Sequence, residues 1–87
     1  MTTKKIEIKL ENGLEARPVA VLVQVASQHD STIYIESGDK KVNAKSIMGM
    51  MSLGLDTGET VVVTADGKDE EAAVSNIEKF LHGVDVA

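Results

Sequence analysis

Cysteine is absent from this 87-residue chain. That excludes disulfide staples, thiolate metal sites and cysteine nucleophiles, and it suits a reducing compartment. Tryptophan is absent too, and Tyr34 and Phe80 are the only aromatic residues. A core built here must be aliphatic, and base stacking, the usual grip on single-stranded nucleic acid, has almost nothing to work with. Cations are in deficit: nine Lys and Arg face fourteen Asp and Glu, a formal net charge of −5. Phosphate-backbone binding depends on cationic contacts, so no direct nucleic-acid partner is expected. No apolar run approaches the roughly 18 residues of a membrane span. The start, Met1-Thr2-Thr3-Lys4-Lys5, leads into alternating Ile and charged residues rather than the apolar stretch of a secretory signal. The expectation is a cytoplasmic chain forming a single domain over residues 1–87, with no membrane partner.

What is present is patterned. Lys5–Glu11 alternates, with Ile6, Ile8 and Leu10 on one side and Glu7, Lys9 and Glu11 on the other. This predicts a half-buried strand ended by the turn signal Asn12-Gly13. Ala16–His29 predicts a helix. Pro18 lies near its start, where a missing N–H costs little, and Val19, Leu22, Val23 and Ala26 repeat at one-face spacing. Thr32–Glu36 and Lys40–Ala44 predict two strands around a Ser37-Gly38-Asp39 hairpin, with Ile33, Ile35, Val42 and Ala44 inward. Lys40 and Lys41 suit an exposed edge.

The segment Lys45–Gly54 predicts a short helix with Ser46 as N-cap and Gly54 just beyond its end. Ile47, Met48, Met50, Met51 and Leu53 are too much apolar surface for one face of so short a helix. Met50 and Leu53 are expected in the core, with Ile47, Met48 and Met51 outside. After a turn at Asp56-Thr57-Gly58, Glu59–Ala65 predicts a strand with Val61, Val63 and Ala65 inward. Following Asp66-Gly67, Asp69 is expected to cap a last helix. Glu70 and Glu71 lie at its positive end, and Ala73, Val74, Ile77, Phe80 and Leu81 form its apolar stripe. Gly83 stops it, and residues 84–87 are expected to fray.

The order strand, helix, strand, strand, helix, strand, helix, with one polar face on every strand, predicts an α+β open-faced sandwich. Four antiparallel strands would lie under three helices.

Ser46 has two readings from its residues alone: a plain cap, or a hydroxyl open to phosphorylation at the positive end of a helix. The two are compatible. Exposed methionines beside it suit a surface that adapts to partners, and Ala20 and Val21 can extend that surface. Arg17 is solvated, paired with Glu15, or a partner-binding cation. Glu15 sits comfortably near a helix N-terminus. His29 and His82 are read as residues near helix C-termini with no catalytic role. Asp66, Asp69, Glu70 and Glu71 lack the ligand spacing of a calcium loop, so no metal and no cofactor is expected.

Two stretches carry a resemblance over essentially the whole chain. Gly13-Leu14-Glu15-Ala16-Arg17-Pro18 resembles the G-[IL]-H-A-R-P motif of HPr, the phosphocarrier of the bacterial sugar phosphotransferase system. Lys45-Ser46-Ile47-Met48-Gly49, followed by Met51-Ser52-Leu53, resembles that family's regulatory serine segment. The departure is Glu15, which stands where the carrier has its phosphorylated histidine. Neither histidine present replaces it: His29 lies at the far end of the helix, about 20 Å away, and His82 is near the chain's end. Loss of the histidine with retention of the serine segment is similar to the family's catabolite-repression branch, although that branch has glutamine at this position.

The resemblance implies a non-enzymatic regulator phosphorylated on Ser46 by the bifunctional HPr kinase/phosphorylase. The phosphorylated form would act as corepressor for CcpA, a LacI-type transcription regulator. Glu15 is then either a permanent, partial imitation of a phosphohistidine or simply a helix-start carboxylate. A phosphocarrier with an unorthodox site and a docking module that never receives phosphate stay open as alternatives. An exposed edge strand and the Asn12-Gly13 turn also leave room for a homodimer by strand exchange.

Overall fold

The computed structural model describes residues 1–10, 16–53 and 57–83, with the side chains of Ala16 and Arg17 outside that description. The elements are β1 (Thr2–Glu7), α1 (Ala16–Ser27), β2 (Thr32–Ser37), β3 (Lys40–Asn43), α2 (Ile47–Met51), β4 (Thr60–Asp66) and α3 (Glu70–Leu81). The four strands form one sheet in the order β1-β4-β2-β3, and every neighbouring pair is antiparallel.

Period-2 alternation explains which face of the sheet is covered. Ile6 on β1 registers with Val61 on β4, and Val63 and Ala65 register with Ile35 and Ile33 on β2. All six are at most 1% exposed and form the floor of the core. The roof is Val19, Leu22, Val23, Val25 and Ala26 of α1, Met50 of α2, and Ala73, Val74, Ile77 and Leu81 of α3. α3 lies over β1 and β4, while α1 packs against both α2 and α3. The opposite face of the sheet is polar, with the Lys41 ammonium 4.9 Å from the Tyr34 ring centroid and 3.6 Å from Glu36. The β2–β3 hairpin turns at Gly38, whose φ of 61° is left-handed and suits a residue without Cβ.

The α+β sandwich expected from the pattern is the fold observed, with shifted boundaries. β1 begins at Thr2 rather than Lys5 and ends at Glu7, although Ile8 remains fully buried and Leu10 packs on the core. Its first inward positions are polar, and α3 satisfies them: Thr2 Oγ1 donates to Glu70 at 2.6 Å, and Lys4 Nζ donates to Glu78 at 2.8 Å. α1 ends at Ser27, two residues before His29. Ala44 lies outside β3 yet is buried, its N–H donating to Ile33 at 2.9 Å. β4 runs one residue later than expected at each end.

Asp69 requires the largest correction. It occupies the N-cap position of α3, but its carboxylate makes no capping bond. It reaches instead to the start of β2, where it accepts from the backbone N–H groups of Asp30 and Ser31 at 3.0 Å and from the Ser31 hydroxyl. Three donors from an adjacent corner outcompete the helix's own N–H groups. Glu70 takes the local role, accepting from Gly67 N–H at 3.2 Å. The readings for Glu11, Asn12-Gly13, Glu15, Gly54, Asp56 and residues 84–87 lie outside the described residues.

Candidate functional site

The chain leaves β3 through a turn held by Asn43. Its side-chain oxygen accepts from Lys45 N–H at 2.8 Å, and its carbonyl accepts from Ser46 N–H at 3.0 Å. This is the local side-chain turn that Asn favours. Ser46 then sits in an extended conformation, φ −107° and ψ 114°, as N-cap of the five-residue α2. Its hydroxyl oxygen accepts from Gly49 N–H at 3.2 Å, so the expected cap is present. A Cβ on residue 49 would lie 3.3 Å from that same oxygen. Glycine there keeps the hydroxyl uncrowded.

α2 ends earlier than the pattern suggested. Ser52 occupies the C-cap, and its hydroxyl donates to the Gly49 carbonyl at 2.6 Å. Lys40 Nζ donates to the Ser52 carbonyl at 3.2 Å, which places a cation at the negative end of the helix.

The apolar side chains of this segment divide as expected. Met50 is 1% exposed and Leu53 8%, whereas Met48 is 86%, Met51 53% and Ile47 49% exposed. On the adjoining α1, Val21 is 37% exposed and Ala20 is half-buried. An apolar surface therefore stands open beside the Ser46 hydroxyl. Arg17 belongs to α1, but its side chain, like all of Glu15, lies outside the described residues.

A second polar cluster was not legible from the chain. The Asp69 carboxylate is 3.1 Å from His29 Nδ1, and His29 Nε2 is 3.1 Å from the Asn76 amide nitrogen. The His29 carbonyl accepts from Lys45 Nζ at 2.7 Å. Asp69 is held far below the usual carboxylate range, foremost by the Ser31 hydroxyl and then by the Asp30 and Ser31 amides and His29. Glu70 is lowered to about 2, chiefly by its hydrogen bond from the Met1 amino group and then by those from Thr2 and Gly67. Of Asp66, Asp69, Glu70 and Glu71, two are thus tightly engaged. Among the described residues no group of three or more His, Cys, Asp or Glu side chains is arranged to hold a metal ion. No helix among them is long and apolar enough to cross a membrane.

A four-stranded antiparallel sheet under three helices, with a serine-capped short helix presenting methionines, is the HPr architecture. The family profile described as the PTS HPr component phosphorylation site matches residues 2–82, and the chain belongs to the HPr family. It is similar to the crystal structure of the phosphocarrier protein HPr from Bacillus anthracis, with a TM-score of 0.88 and 43% identity over 91% of this chain and 94% of that one.

Within the family, the similarity extends to Crh. The HPr-like protein Crh of Halalkalibacterium halodurans is 47% identical over 81 residues, covering 93% of this chain and 96% of that protein. The crystal structure of Bacillus subtilis Crh, a domain-swapped dimer, covers 100% of both chains with a TM-score of 0.78 and 41% identity.

Proposed function

We propose that this chain is a non-enzymatic regulator of carbon catabolite repression, a single cytoplasmic domain switched by phosphorylation of Ser46. HPr kinase/phosphorylase is the modifying enzyme in this reading. The phosphorylated form serves as corepressor for a CcpA-type LacI-family regulator. One observation carries the reading: the Ser46 hydroxyl stands at the edge of an open apolar surface formed by Ile47, Met48 and Met51. The kinship with Crh supports it. So does Glu15, which leaves the family's histidine position without the imidazole that a phosphorelay requires.

The mechanism is local. A phosphoserine brings about −1.5 to −2 charges and three acceptor oxygens. Placed beside the patch, it gives a partner's arginine or lysine a charged handle, while Ile47, Met48 and Met51 give its apolar side chains a floor. The charge sets encounter and specificity, and the buried apolar contacts supply much of the affinity. Ala20 and Val21 extend the floor, Arg17 adds a cation, and Glu15 contributes a fixed negative charge. A homodimer is part of the proposal, supported by the swapped dimer of the Bacillus subtilis relative.

Binding of the phosphorylated chain to the regulator, compared with Ser46→Ala treated identically, tests the reading. The substitution is expected to abolish regulator binding. Retained binding would leave a docking module that needs no phosphate. Incubation with phosphoenolpyruvate and the upstream phosphotransferase enzyme tests the carrier alternative, since only that alternative predicts label on this protein. Glu15→Gln tests the charge mimic: unchanged regulator affinity removes it.

A further inference from the structure

Away from the Ser46 segment, His29, Ser31, Asp69 and Asn76 meet where the end of α1, the start of β2 and the first turns of α3 converge. The His29 side chain is only 11% exposed, and both ring nitrogens are engaged. A carboxylate can only accept hydrogen bonds. Asp69 is kept ionised by the donors gathered on it, so the nitrogen facing it, Nδ1, carries a proton whether the ring is neutral or charged.

Proton exchange is thereby confined to Nε2. In the neutral ring, the Nε2 lone pair faces the Asn76 amide NH₂ at 3.1 Å and accepts from it. In the imidazolium, Nε2 carries a hydrogen and needs an acceptor. A half-turn of the Asn76 amide supplies one, Oδ1, from the same side chain. The change takes up one proton from water, and Nε2 exchanges an accepted hydrogen bond for a donated one. Both states keep Nε2 and Nδ1 partnered, so the site has two satisfied positions rather than one satisfied and one frustrated.

The same residue is tied to the Ser46 segment. Lys45 Nζ donates to the His29 carbonyl at 2.7 Å. Among the described residues, the charged groups linked to His29 are Asp69 from α3, on the ring, Lys45 from the segment before α2, on the backbone carbonyl, and Asp30 as its neighbour in the chain; Asn76 adds a neutral, reversible dipole. A positive ring favours the Asp69 contact and opposes an ammonium held on its own carbonyl.

We propose that His29 and Asn76 form a two-position proton switch, in which protonation of Nε2 turns the Asn76 amide over and weakens the hold of Lys45 on the His29 carbonyl, passing proton uptake to the residue that precedes Ser46. The switch operates on the unmodified chain and needs no phosphate. An unperturbed histidine changes charge within about pH 5 to 8, which sets the range over which the switch is tested.

The test is a nitrogen-15 NMR titration of the full chain between about pH 5 and 8. The expected neutral ring is the Nδ1–H tautomer. The Asn76 side-chain amide and the Lys45 and Ser46 backbone amides are expected to move with the same midpoint as the imidazole. In Lys45→Met, the Asn76 response persists and the Ser46 response is lost. A neutral Nε2–H tautomer, a ring that keeps one charge state throughout, or an Asn76 amide that ignores the ring would overturn the switch. A Ser46 amide that still follows the ring in Lys45→Met would overturn the proposed route.

Discussion

Truncating Met48 and Met50 to alanine, one at a time, separates the two jobs of the α2 segment. The residues are two apart in sequence, yet Met48 is 86% exposed and Met50 only 1%. Removing a buried methionine side chain loses its transfer free energy and leaves a cavity, a cost of about 2–5 kcal/mol. For a domain of this size each kcal/mol moves the melting temperature by roughly 4–8 °C. Met50→Ala is therefore expected to melt about 10 °C or more below the parent. Met48→Ala removes little that the folded chain buries, so its stability should stay within about 0.5 kcal/mol of the parent. Binding should invert the order. If the regulator covers Met48, the contact contributes about 1.5–3 kcal/mol, and at about 1.4 kcal/mol per tenfold Met48→Ala weakens Kd roughly tenfold to a hundredfold. Urea unfolding followed by circular dichroism reads the first quantity. Calorimetry of the Ser46-phosphorylated proteins with the CcpA-type regulator reads the second. Equal destabilisation by the two substitutions would refute the assignment of faces, and unchanged affinity in Met48→Ala would remove that residue from the docking surface.

Three further outcomes follow from other contacts. Ser46→Ala removes the oxygen that accepts from Gly49 N–H and should cost about 1 kcal/mol in urea unfolding, whereas Ser46→Asp, a competent cap, should restore most of it. Gly67→Ala would place a Cβ 2.7 Å from the Ser31 backbone Cα and its hydroxyl oxygen. The β4–α3 turn must then shift, with an expected loss of about 1–3 kcal/mol by the same assay. The carboxyls of Asp69 and Glu70 sit below their unfolded values, Glu70 at about 2. The unfolded chain therefore binds protons first on acidification. The stability these groups contribute is complete above about pH 5 and declines as pH falls through their folded values. Glu70→Gln should flatten that decline in an acid series of unfolding curves.

The elements legible in the sequence were those fixed by their own residues. Val61, Val63 and Ala65 alternate with Val62 and Thr64, and period-2 geometry places the first three in the core whatever else surrounds β4. The division of this segment was expected from crowding: Ile47, Met48, Met50, Met51 and Leu53 exceed one face of so short a helix. The start of β1 was hidden because its inward positions, Thr2 and Lys4, are polar. Their partners, Glu70 and Glu78, come from the other end of the chain, and no local pattern announces them.

Asp69 misled for the same reason. By sequence it precedes a helix and should cap it, but the donors that capture it belong to residues 38 and 39 positions earlier. His29 read as a helix-end histidine because its two partners, Asp69 and Asn76, also sit on a distant helix. Ser46 and its exposed neighbours were recognisable twice over, as a cap followed by surplus apolar residues and as a family segment. The role proposed for Glu15 rests on the sequence alone, on the resemblance of Gly13-Leu14-Glu15-Ala16-Arg17-Pro18 to the family's histidine motif.

The central claim is that Ser46 is the switch. Its most direct test is intact-mass and fragment mass spectrometry of the folded chain after incubation with ATP and HPr kinase/phosphorylase. The account predicts one added phosphate, localised to Ser46. A chain that stays unmodified while the same enzyme phosphorylates an ordinary HPr, or that carries its phosphate elsewhere, would contradict it.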